Sequence, residues 1–93
     1  MTFDVENSRA IRDVTSQMII LLIDGGAGEW GRALEVQVRN LDSDPESVAS
    51  NILSMYSGMG SLNDVVLSKD GKILKKENDN LDDLRERLYQ LCL

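Results

Sequence analysis

Apolar residues recur at three- and four-residue steps at both ends of this chain, a spacing that confines those ends to helices packed through one face. In "VENSRAIRDVTSQMIILLIDGGAG", Ile11, Val14, Met18 and Leu21 or Leu22 keep the step, while Arg12, Asp13, Ser16 and Gln17 fall on the other side. A helix is predicted over residues 5–24, closed by the glycines of "DGGAG", since glycine readily takes the left-handed conformation that ends a helix. The run "MIILLI" is apolar all round, so more than one neighbour should cover it. At six residues it is a core segment, because a membrane span needs roughly 18–20. In "NDNLDDLRERLYQLCL" the step reappears at Leu81, Leu84, Leu88 and Leu91. A last helix is predicted from residue 77, with Asn78 or Asn80 as its cap.

Between these ends the pattern is mixed. "EWGRALEVQVRNL" fits one helix face through Trp30, Ala33, Leu34, Val38 and Leu41, yet Leu34, Val36 and Val38 also alternate like a strand. Helix accounts for more of the apolar residues and lets Glu29, Arg32, Glu35 and Arg39 pair along an exposed face. "DSDPESVASNILSMYSG" carries a clear start signal: Asp44 as N-cap, Pro45 where a missing N–H is no loss, and Glu46 at the positive end of the helix dipole. A third helix is predicted over residues 45–57, burying Val48, Ala49, Ile52, Leu53, Tyr56 and Met59. Asp70-Gly71 then marks a tight turn between "VVLS" and "KIL", giving a small hairpin or an irregular arm.

"SGMGSLNDVVL" could be a glycine loop that holds a phosphate, but such a loop follows a strand and opens a helix, and in nucleotide sites carries Lys followed by Ser or Thr. The order here is reversed, and Asp64 would place negative charge against the anion. The stretch instead reads as a helix end, with Gly58 closing the helix, Met59 folding back onto its stripe and Gly60 allowing a second change of direction. Ser61 and Asp64 form a capping box for a short helical turn over residues 62–67, with Asn63 bonding local backbone.

The same stretch, "YSGMGSLNDVVL", resembles the tyrosine, Gly-Met-Gly-Ser, Asn-Asp and apolar-run signature of a family of short bacterial proteins without established enzymatic activity. Members of that family end in a leucine-patterned helix like "LDDLRERLYQL". The resemblance spans residues 54–91, with Trp30 as a weaker match upstream. It implies a non-catalytic role, and small acidic proteins of this kind resemble immunity proteins encoded beside secreted toxins, including those of contact-dependent growth inhibition.

Taken together, these readings predict an all-α fold: a four-helix compact bundle with a short turn or β-hairpin arm before the last helix, as a single helical domain over residues 1–93. The net charge of −6, from 16 acidic and 10 basic residues, argues against direct nucleic-acid binding, whose affinity comes largely from Lys and Arg displacing counterions. Lys69, Lys72, Lys75 and Lys76 form one basic cluster, read as a solvated turn because no aromatic or arginine accompanies it. With no histidine, and with Cys92 as the single cysteine on a leucine stripe, the usual parts of acid–base and nucleophilic catalysis are missing. Asp42, Asp44 and Glu46 lie close, but the spaced glycine and terminal glutamate of a calcium loop are absent. The expectation is a protein that is not an enzyme and uses no metal or cofactor. The charged start, with no signal-peptide core, and the lack of disulfide chemistry suit the cytoplasm.

The function expected is that of an immunity protein that neutralises a basic toxin, a nuclease, by occluding its positive cleft, with electrostatic steering to help. The partner-binding candidates are Asp79, Asp82, Asp83 and Glu86 on the last helix, preferred for their number, and Asp42, Asp44 and Glu46 at the start of the third. Either set also fits a solvated face with acids that complement a helix dipole. The alternative is a non-catalytic adaptor or a self-associating module zipped through the terminal leucines. That stripe is under three heptads long, so a monomer is expected over a homo-oligomer.

Overall fold

The computed structural model describes residues 5–57 and 60–93. Helix α1 (Val5–Asp24) turns through Gly25 and Gly26 into α2 (Gly28–Arg39), and a short loop leads to α3 (Pro45–Ser54). A 3₁₀ turn (Leu62–Asp64) follows, then a hairpin of β1 (Ser68–Lys69) and β2 (Lys72–Ile73), and the last helix α4 (Lys75–Cys92). Among the described residues the fold is thus mostly helical, four helices with a small two-stranded hairpin before the last, as the apolar spacing and the Asp70-Gly71 turn predict.

α1 is the central element. It packs on α2 along one side and α4 along another, while α3 bridges α2 and α4. Ile11, Val14, Met18 and Leu22 enter the core at 2 % exposure or less, joined by Leu34, Leu41, Ile52, Leu62, Leu67, Leu81, Leu84 and Leu88. Helix wins over strand for the second segment, since Leu34 and Val38 are buried and Val36, which only the strand pattern would have placed beside them, is exposed. Asp44 caps α3 by accepting from the Ser47 N–H at 3.3 Å. In the hairpin turn, Asp70 and Gly71 both have positive φ, 53° and 79°, the geometry of a tight type I′ turn.

Three local expectations are corrected. α3 stops at Ser54 rather than residue 57 because the chain tightens into three-residue hydrogen bonds, Met55 N–H to Ile52 O at 2.9 Å and Tyr56 N–H to Leu53 O at 3.1 Å. The segment after Ser61 forms one 3₁₀ turn ending at Asp64, not a helix to residue 67, and Val65 is already extended. α4 begins at Lys75, two residues early, and neither Asn78 nor Asn80 caps it. Asn78 instead clamps Leu67, accepting from its N–H at 2.7 Å and donating to its carbonyl at 3.0 Å. α1 has more than one neighbour, α2 and α4, as its apolar end requires, although Ile20 and Ile23 remain 61 % and 51 % exposed. The expected roles of Gly58 and Met59 lie outside the described residues.

The hairpin is held against the α1–α2 turn by the Ser68 N–H, which donates to Gly25 O at 3.0 Å. A Cβ on Gly25 would lie 2.7 Å from Leu67 Cβ. Only glycine allows this approach.

Candidate partner-binding face

The outward surface of α4 is built by helical spacing alone. Leu81, Leu84 and Leu88 point into the core at 2 % exposure or less, which turns Asp79, Asp83 and Glu86, three and four residues apart, onto the opposite side. All three are exposed, and no ion pair engages them among the described residues. Asp82 flanks them and is exposed too, but its carboxylate accepts from Arg85 Nη2. The four predicted acids therefore share one face.

The second candidate set is more committed to the chain itself. Asp42 pairs with Arg12 of α1 at 3.0 Å, Asp44 is the α3 cap, and Glu46 stands exposed in the first turn of α3. An ion pair accounts for Asp42, and positions at the start of α3 account for Asp44 and Glu46, without a ligand.

Beside the acidic face is a constellation that the spacing of charges did not single out. Arg85 is buried, 9 % exposed, and its Nη1 donates to the carbonyls of Leu62 at 2.9 Å and Val65 at 3.1 Å. It stitches the 3₁₀ turn to α4. The signal was present: Arg85 falls in register with Leu81 and Leu88, where a charge must find acceptors or destabilise the fold. The Tyr56 hydroxyl donates to the Arg85 carbonyl at 2.8 Å, and its ring meets Tyr89 edge-on with centroids 5.3 Å apart. Burial raises the Tyr56 phenol pKa well above its usual value, with the sulfur of Cys92 adding to the effect and Arg85 opposing it. Asn63 donates to Tyr56 O at 3.3 Å, as expected of a local backbone contact, and the Asp64 carboxylate accepts from the N–H groups of Gly60 and Ser61 at 3.0 and 3.2 Å.

An open groove runs between the end of α3 and α4, lined by Leu53, Tyr56, Ser57, Asn63, Glu86 and Tyr89. Tyr89 is 37 % exposed there. Cys92 is buried behind it, its thiol pushed up from 9.0 to about 12 by desolvation, which leaves it protonated and inert at neutral pH. Among the described residues no three His, Cys, Asp or Glu side chains come together as a metal site, and no helix is long and apolar enough to cross a membrane.

Fold and surface define a small helical domain with an acidic outer face and a tyrosine-lined groove at its edge. Residues 24–75, more than half of the chain, match the family model described as Domain of unknown function (DUF6966), and the chain belongs to that family. The match takes in Trp30 and the "YSGMGSLNDVVL" signature but stops at the first residue of α4. Comparison with curated proteins and with solved structures gave no match in either.

Proposed function

We propose that this protein is an immunity protein: it binds a basic bacterial toxin, a nuclease, and blocks the positive cleft that would hold nucleic acid. The observation that carries the reading is the outer face of α4, where Asp79, Asp83 and Glu86 stand exposed and unengaged by ion pairs among the described residues. A like-charged row of this kind repels itself at helical spacing. Opposite charge on a partner relieves that repulsion and speeds encounter. The half-exposed Tyr89 at the edge of the row supplies the aromatic contact on which interface affinity often concentrates. The net charge of −6 points the same way.

Binding in this mode uses no cofactor and no catalytic group. Occlusion of the cleft is sufficient, because a nuclease that cannot admit its phosphate backbone cannot cleave it. Self-association through the terminal leucines loses its seam, since Leu81, Leu84 and Leu88 are buried within the domain.

The test is an affinity capture at low salt from the native cells with the tagged protein, followed by mass spectrometry and a nuclease assay. Recovery of one basic polypeptide, with nuclease activity appearing only after the tagged protein is denatured away, is expected. Recovery of nothing but further copies of this chain would overturn the reading.

A further inference from the structure

Three features of the groove between α3 and α4 favour a cation, two of them on α4 and the third on α3. Glu86 presents an exposed carboxylate whose Oε1 accepts only a long 3.3 Å hydrogen bond from Gln90. Tyr89, one turn further on and 37 % exposed as a residue, lines the groove with an aromatic ring, whose quadrupole attracts cations. The C-terminal turn of α3 supplies the third, the negative end of a helix dipole, with no basic residue in that turn to neutralise it.

From these we infer that the groove receives an arginine side chain of the protein partner, its guanidinium held between the Glu86 carboxylate and the Tyr89 ring. The inference rests on the reading of α4 as the face that meets a basic protein. A guanidinium fits better than an ammonium because it is planar, offers a fork of N–H donors to a carboxylate and stacks on an aromatic face. The Tyr56 hydroxyl takes no part, being engaged by the Arg85 carbonyl. It fixes the ring against which Tyr89 rests.

The experiment is an amide NMR titration of the whole protein with N-acetyl-arginine amide, with N-acetyl-citrulline amide as the uncharged isostere. Saturable shifts at Leu53, Ser57, Asn63, Glu86 and Tyr89 are expected with arginine and not with citrulline. Glu86→Gln and Tyr89→Leu should each weaken binding about fivefold, while Tyr89→Phe, which keeps the ring, should bind as the parent does. Equal shifts from citrulline, or arginine shifts along Asp79 and Asp83 with none in the groove, would overturn the inference. The capture experiment fails separately. A captured nuclease that still binds Glu86→Gln and Tyr89→Leu at full affinity overturns the arginine site and leaves the acidic-face reading standing. A groove-specific arginine shift without any captured partner supports the site and removes the immunity role.

Discussion

Arg85 shows how a single residue can couple two parts of a small fold. Its guanidinium bonds the Leu62 carbonyl in the 3₁₀ turn, the Val65 carbonyl just after it and the Asp82 carboxylate, while its own carbonyl takes the Tyr56 hydroxyl. Arg85→Met keeps the apolar stem and removes every side-chain donor, leaving the Val65 carbonyl without this partner and the Leu62 carbonyl with only a long 3.4 Å bond from the Val65 N–H. Its expected cost is about 1–3 kcal/mol in urea unfolding. Arg85→Lys should rescue little, because an ammonium cannot span the same acceptors with a planar fork. Cys92 gives a prediction in pH. Its thiol ionises near 9.0 when unfolded and only at about 12 when folded, so above pH 9 the unfolded chain loses protons that the native chain retains. Stability from this group is complete below pH 9 and is lost progressively as pH rises toward 12. Denaturation midpoints should therefore fall over that window, and less steeply in Cys92→Ala. At neutral pH an aromatic disulfide reagent should react with Cys92 only on unfolding.

At the scale of elements, the close approach of the hairpin to the α1–α2 turn is set by Gly25. Gly25→Ala would place a methyl 2.7 Å from Leu67 Cβ and Cδ2 and 2.9 Å from Leu21 O, and overpacking of this kind costs about 1–3 kcal/mol by thermal or chemical denaturation. Much of the element order was legible in the sequence. The Asp44-Pro45 start, the Asp70-Gly71 turn and the leucine steps of α4 each carry a local physical signal, and each element stands where that signal puts it. The boundaries that differed depend on contacts between distant residues. Just beyond the early end of α3, the carbonyls of Met55 and Tyr56 are met by the Leu62 N–H and the Asn63 amide, each 7 residues on. Asn78 looked like a helix cap because its type suits one, whereas its amide matches the backbone of Leu67 eleven residues away. The acidic face followed from period alone, but the Arg85 and Tyr56 constellation beside it required knowing which turn α4 would touch.

For the whole molecule, opposite faces of one helix separate stability from recognition. Leu84 is buried and Asp83, its neighbour in sequence, is exposed without an ion-pair partner among the described residues. Leu84→Ala is expected to lower folding stability by about 2–5 kcal/mol. Asp83→Lys should leave unfolding within about 0.5 kcal/mol of the parent, yet slow association with a basic partner and flatten its salt dependence. Paired urea titrations and association rates at low and high salt would check both. Asp42→Asn, by contrast, removes a bond to Arg12 between two exposed side chains, a kind of pair that contributes little to stability.

The Asn78 clamp and the Arg85 stitch also bear on how the chain can be divided. Both reach back from α4 into the stretch that the family model matches, and both satisfy backbone groups there that have no other side-chain donor or acceptor among the described residues. A fragment cut to residues 24–75 would also lose α1, against which α2 packs. Such a fragment should show little helical circular dichroism and no cooperative melt. On that expectation the segment matched by the family model is smaller than the unit that folds, and deletion series or fusions should keep α1 and α4 joined to it.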